Sequence, residues 1–199
     1  DILDPNAQFG DENFLIVGVD SRYGENSGMG AGNTEDAGGA RSDSVILVNI
    51  PASRKRVVAV SFPRDLAITP MQCEAWDASN GKYGPVYDEE TGTYGPDQVY
   101  TETKLNSAYS FGGPKLLAKT VQDNTGLRIE HYIGIGFGGL VNVVDAVGGV
   151  RMCLPAPIHD QASGLNLKAG CQTLDGAEAL GYVRTRHQFA NQDLQREQN

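Results

Sequence analysis

The sequence predicts an α/β fold: a mixed central sheet flanked by helices as an α/β/α sandwich, with a short accessory hairpin or flap. Three observations carry this. Asn13 to Val19 (NFLIVGV) is a continuous apolar run, the pattern of a strand buried on both faces. Two further β-rich runs, 43–50 and 56–62, are joined by Pro51-Ala52-Ser53-Arg54-Lys55, a connector short enough for an antiparallel hairpin. Through the second half of the chain predicted strands and helices alternate, as they do when helices pack on a sheet.

Taken in order, the first strand ends at Gly18 and Asp20. The hairpin carries Arg41 and Asp43 at its start and Arg64 and Asp65 at its finish, so antiparallel pairing brings these four to one end of the sheet. A first strand parallel to the hairpin's second strand adds Asp20. The stretch 23–39 is dominated by Gly, Asn and Ser and reads as a loop. The stretch 71–99, rich in Tyr, Gly, Pro and acids, is long for a loop in a compact domain and reads as a flap or an insertion with its own hairpin. A short helix is expected over 104–110. Gly112-Gly113-Pro114 then breaks the chain and starts a second helix, with Pro in its first turn and Gly126 past its end. The periods that follow give a strand at 131–137, a helix at 140–147 stopped by Gly148-Gly149, and a strand at 150–154. Asp175 caps a helix through Ala177 to Leu180, which leads into Tyr182-Val183-Arg184-Thr185-Arg186. Read by alternation alone, Arg184 and Arg186 share a half-exposed strand face.

Length and composition fit one domain over residues 1–199: 40% hydrophobic and 21% charged residues suit an ordinary globular core. A net charge of -9 argues against non-specific nucleic-acid binding, which needs a broad basic surface. No apolar run approaches the roughly 20 residues that span a bilayer, and the chain is expected to be a soluble piece of a longer protein. Cys153 and Cys171 flank a loop rich in Pro, Gly and Ser; spacing leaves a disulfide and two buried thiols equally open, and Cys73 has no evident partner.

In this acidic chain Arg41, Arg64, Arg184, Arg186 and Arg196 are nonetheless interleaved with Asp20, Asp43, Asp65 and Asp193. The planar guanidinium matches phosphate oxygens bidentately and keeps its charge at any working pH. Carboxylates suit a hard divalent cation, which one or two of them hold together with substrate phosphates. His131, His159 and His187 form no metal-binding spacing; His187 adjoins Arg186 and is expected to line the site. The segment Gly136-Phe137-Gly138-Gly139 lacks the Lys and Ser/Thr of a phosphate loop.

Ordered along the chain, several motifs resemble the extracellular domain of the LytR-CpsA-Psr family. They are Val17-Gly18-Val19-Asp20-Ser21-Arg22, Arg41-Ser42-Asp43-Ser44, Ser61-Phe62-Pro63-Arg64-Asp65, Lys104-Leu105-Asn106-Ser107-Ala108 with Gly112-Gly113, and Val144-Asp145-Ala146-Val147-Gly148-Gly149-Val150 after Phe137. Leu174-Asp175-Gly176-Ala177-Glu178-Ala179-Leu180 and Tyr182-Val183-Arg184-Thr185-Arg186 follow, then Asp193 and Arg196. Each motif alone is weak; their number and order make the resemblance specific.

The resemblance implies an enzyme that moves a glycopolymer from a polyprenyl-pyrophosphate carrier to peptidoglycan at the outer face of the membrane, anchored by a single helix outside this sequence. Arabinogalactan is the implied polymer, because a cysteine pair around the Pro-rich loop looks actinobacterial; the same likeness implies that Cys153 and Cys171 are joined. By the family's pattern Asp20 and Asp43 hold Mg²⁺ or Mn²⁺, and the five arginines grip the pyrophosphate. Arg41, Asp43, Arg64, Arg184, Arg186, Asp193 and Arg196 form the catalytic set, supported by Asp65, Lys104, Asn106 and Gln198. Asp43, Asp193 or the substrate itself takes the proton of the acceptor hydroxyl. The resemblance also suggests that the helices at 116–121 and 140–147 line a tunnel for the lipid tail, where periodicity reads ordinary core faces. The rival reading is a module that binds polyprenyl-phosphate lipids without turnover.

Overall fold

The structure is a computed structural model that describes residues 9–20, 41–161 and 163–185, with the backbone alone for Asp20. It divides into two compact units, Asp1–Gly136 and Phe137–Asn199. In the first unit, β1 (Glu12–Asp20), β2 (Arg41–Ile50) and β3 (Val58–Phe62) are followed by six short strands. These are β4 (Gln72–Glu74), β5 (Trp76–Asp77), β6 (Lys82–Tyr83), β7 (Tyr87–Asp88), β8 (Thr93–Tyr94) and β9 (Gln98–Tyr100); helix α1 (Leu105–Thr125) and β10 (His131–Ile135) complete the unit.

The central sheet has the order β10-β1-β2-β3. β1 is antiparallel to β2 and β2 to β3, whereas β1 runs parallel to β10, so the sheet is mixed, as the sequence predicts. One face carries Leu15 and Val17 of β1 with Val45 and Leu47 of β2, and packs on Leu105, Ala108, Leu117 and Val121 of α1. Those helix residues therefore belong to the core of this unit, as their periodicity reads. Burial of apolar side chains at about 25 cal/mol per Å² is what holds helix to sheet.

The break at Gly112-Gly113-Pro114 is a kink inside α1. Gly113 adopts φ 62, a conformation that costs a side-chain-bearing residue about 1 kcal/mol or more. A Cβ there would also come within 2.6 Å of the Trp76 indole. Trp76, which packs edge-on against Tyr109 at 4.9 Å, thus plugs the kink and fastens the 72–100 insertion to the core. The insertion is three small antiparallel ladders, β4 with β9, β5 with β6 and β7 with β8. Where one accessory hairpin was expected, nested pairs occur, because Asp77 and Asp88 accept from backbone amides two residues on and close tight turns.

In the second unit, α2 (Phe137–Ala146), β11 (Val150–Leu154), β12 (Ile158–Asp160), β13 (Leu165–Leu167), β14 (Gly170–Leu174) and α3 (Gly176–Arg184) surround a small core of Leu154, Ile158, Leu165, Leu167, Leu174 and Tyr182. Three expectations change. Helix α2 starts at Phe137, within the segment read as the end of a strand. The Pro-rich loop contains the β12–β13 ladder, and Cys171 lies on a strand, β14. Tyr182-Val183-Arg184 is helical: a capping box between Asp175 and Glu178 starts α3, and buried Leu180 and Tyr182 carry it past the expected end.

Candidate functional site

The site end of the sheet is shaped by a slip in pairing. Gly18 faces Ser44, but Val19 faces Ser42 and Asp20 faces Arg41, so Asp43 is the extra residue of a β-bulge. Strict alternation would set Asp43 on the face of Val45 and Leu47, in the core. The bulge hands that place to Ser42, which is fully buried, and turns Asp43 outward.

Arg64 follows β3 and Pro63 at the same end. Its Nη1 donates to Asp43 Oδ1 at 3.1 Å and its Nε lies 3.6 Å from Asp65 Oδ2. Lys104 Nζ contacts Asp65 Oδ1 at 2.8 Å, completing a relay of alternating charge from Asp43 to Lys104. The backbone reinforces it: Asn106 N donates to the Arg64 carbonyl at 3.0 Å and Leu105 N to the Leu66 carbonyl at 2.9 Å. The start of α1 is thereby laced to the residues after β3. The Lys104 hydrogen bond, with the Lys104 and Arg64 charges, holds the Asp65 carboxyl below its ordinary value. Arg41, Arg64 and Lys104 thus stand against Asp43 and Asp65 where the Asp20 backbone ends beside Arg41, a set of cations and carboxylates of the kind that holds an anion together with a metal counter-ion.

Of the expected site residues, Arg41, Asp43, Arg64, Asp65, Lys104 and Asn106 are therefore gathered in the first unit at one end of the sheet, where the Asp20 backbone also ends. Arg184 is the last residue of α3 in the second unit, with its guanidinium 5.5 Å from the centre of the Phe137 ring. Arg186, Asp193, Arg196, Gln198, His187 and the Asp20 side chain lie outside the described residues. Cys153 and Cys171 face each other across β11 and β14 and are joined by a disulfide. On α2, Val144 is buried while Val143 is exposed, as is Val147 just past the helix end. The sequence reading gives Phe137 and Thr185 no roles; their signal is only membership of motifs, Phe137 ahead of Val144 to Val150 and Thr185 between Arg184 and Arg186 in the chain.

Among the described residues no three His, Cys, Asp or Glu side chains converge to hold a metal ion. The donors nonetheless fit a magnesium-like cation. The bulge presents the Asp43 carboxylate to solvent beside arginine, and such an ion needs only one or two carboxylates when phosphates complete its shell.

The LytR_cpsA_psr family profile matches residues 2–199. The chain belongs to the LytR_cpsA_psr family. Among LytR_cpsA_psr relatives, the probable cell wall biosynthesis protein LcpB of Corynebacterium glutamicum is 40% identical over 178 residues, covering 87% of this chain and 36% of its own length. The cell wall biosynthesis protein LcpA of the same organism is 34% identical, covering 98% of this chain and 39% of its own. The chain thus spans well under half of these relatives. A solved LytR-CPS2A-psr family protein, YwtF (TagT) with bound octaprenyl pyrophosphate lipid, superposes with a TM-score of 0.54 at 22% identity. It covers 94% of this chain and 61% of that one, and at that identity speaks for the fold.

Proposed function

We propose that this chain is the catalytic part of a cell-wall glycopolymer transferase that takes a polymer from a polyprenyl-pyrophosphate carrier and joins it to peptidoglycan. The observation that carries the reading is the pairing of Arg64 with the bulge carboxylate Asp43, within a cluster of basic and acidic side chains at one end of the sheet. Family membership and the relatives' names as cell wall biosynthesis proteins support it. The octaprenyl pyrophosphate held by the fold neighbour is the chemical class of donor this cluster suits.

In the proposed reaction a sugar hydroxyl of the acceptor attacks the phosphorus that bears the polymer. The new O–P bond forms as the bond to the lipid phosphate breaks, and the polymer ends in a phosphodiester. Lipid monophosphate departs, and the proton passes to Asp43, Asp193 or a substrate phosphate oxygen. Arg41 and Arg64, with Arg184, Arg186 and Arg196, bind the two phosphates and stabilise the charge on the leaving one. Asp65 and Lys104 steady Arg64. Asp20 and Asp43 would hold Mg²⁺ or Mn²⁺, which supplies further charge neutralisation when bound. With water as acceptor the same displacement is a pyrophosphatase reaction. Arabinogalactan is the proposed polymer and the outer face of the membrane the proposed location, consistent with the Cys153–Cys171 disulfide.

Purified protein incubated with geranylgeranyl pyrophosphate is expected to release phosphate when Mg²⁺ or Mn²⁺ is added, and Arg41→Ala is expected to abolish release. Wild-type turnover by that variant would refute the assignment. Tight binding with no turnover of any lipid-linked polymer would establish the capture module instead.

A further inference from the structure

We propose that Phe137 and Thr185 are positioning residues that hold the Arg184 guanidinium ready for a phosphate; this rests on the reading of Arg184 as a pyrophosphate ligand. A long side chain at a helix end loses rotamer freedom when it grips a ligand, and contacts that order it beforehand raise affinity. Two features order Arg184: a ring contact and a fixed backbone at the end of its helix. From the side, the Phe137 ring lies 5.5 Å from the guanidinium carbon, inside the range of about 6 Å over which a ring face attracts a cation, and both residues are half-buried. This contact uses the charge rather than the N–H donors, so it is compatible with phosphate binding.

From below, Thr185 fixes the end of α3. It follows Arg184 in the chain and is fully buried, its Oγ1 donates to the Gly181 carbonyl at 3.0 Å, and its N donates to the Tyr182 carbonyl at 3.2 Å. Ring and arginine sit on different helices, yet their spacing is kept. Asp145 of α2 accepts from Gly176 N at the start of α3 at 2.7 Å, and Gly176 packs so closely on Val141 that a Cβ would strike its backbone. Helices α2 and α3 are thus fastened at the end opposite the Phe137–Arg184 contact.

The test measures binding of geranylgeranyl pyrophosphate to the 199-residue chain by calorimetry in EDTA, where no turnover is expected, for wild type, Arg184→Ala, Phe137→Leu, Phe137→Tyr, Thr185→Val and Thr185→Ser. Phe137→Leu and Thr185→Val are expected to weaken binding about three- to tenfold, and Phe137→Tyr and Thr185→Ser to restore it. The Arg184 Nε–H resonance is expected to carry a ring-current shift that Phe137→Leu removes and Phe137→Tyr keeps, with or without ligand. Wild-type affinity in both Phe137→Leu and Thr185→Val while Arg184→Ala has lost binding, or a resonance indifferent to Phe137, overturns the proposal. Wild-type affinity in Arg184→Ala overturns the pyrophosphate reading of Arg184 itself and the proposal with it.

Discussion

Asp43 and Arg64, 21 residues apart, meet at 3.1 Å because a β-bulge in β2 turns the aspartate out of the core just where the chain leaves β3. The pair is accessible, with the two side chains 40% and 46% exposed, so it contributes at most about 1 kcal/mol to folding. Its worth is positional: it aims a cation at the mouth of the sheet. Asp43→Asn should therefore lower the melting temperature only slightly while reducing phosphate release at least tenfold. A matched pair of thermal melts and turnover assays checks this, and unchanged turnover would remove Asp43 from the reacting centre.

The contact between Lys104 and Asp65 has a pH signature. Asp65 titrates below its ordinary value in the folded chain, so whatever stability its contacts supply is fully present above the unfolded value near 3.8 and is lost as pH falls through the lowered folded value. Carboxyl NMR titration should show Asp65 below 3.8 in wild type and moving up in Lys104→Ala, since the Lys104 hydrogen bond is the largest cause. An Asp65 titration unaffected by that substitution would break the relay from Asp43 to Lys104.

Gly113 is expected to resist substitution. A side chain there meets both the φ of 62 and the Trp76 indole, so Gly113→Ala should cost about 2–4 kcal/mol, read as a fall in the urea midpoint. Because Trp76 fastens the 72–100 insertion, near-ultraviolet circular dichroism should change with it. A midpoint within experimental error of wild type would mean that the kink is not held by that packing.

The disulfide closes a segment of sequence separation 18, and in the chain-entropy model its loss costs about 3 kcal/mol. Cys153→Ser/Cys171→Ser should lower stability by that order in denaturant melts, and reductant should bring wild type to the same midpoint. Cys73 behaves differently: partial burial pushes its thiol up, so it should react slowly with a thiol reagent at pH 8 until the chain is unfolded. Fast labelling of the folded chain would contradict that burial.

Local patterns were legible wherever one physical cause dominates a short window. The apolar run of β1, the hairpin of β2 and β3, the stop at Gly126 and the cap at Asp175 all appear within a few residues of their expected places. The strand at Cys171 has no apolar run of its own and sits in a segment whose Pro and Gly content argues for loop; β14 forms because β11 lies opposite to pair with it. Tyr182 to Arg184 reads as strand from the alternation of Arg184 and Arg186, yet tertiary burial of Leu180 and Tyr182 keeps the helix going. The carboxylate and arginine set came from residue type and motif order, which proximity along the chain does not reveal.

By itself the sequence determined the menu: a mixed α/β scaffold, the family, and an arginine and aspartate set at strand ends, all consequences of hydrophobic period, turn chemistry and motif order. The tertiary structure decided which of those residues meet. Arg64 finds Asp43 across 21 residues, Lys104 finds Asp65 across 39, and Phe137 finds Arg184 across 47. Pairing register, a single inserted residue in β2 and the lacing of α1 to the end of β3 set the first two encounters, and the fastening of α2 to α3 sets the third. Electrostatic and ring contacts act through space, so no local period in the chain records them.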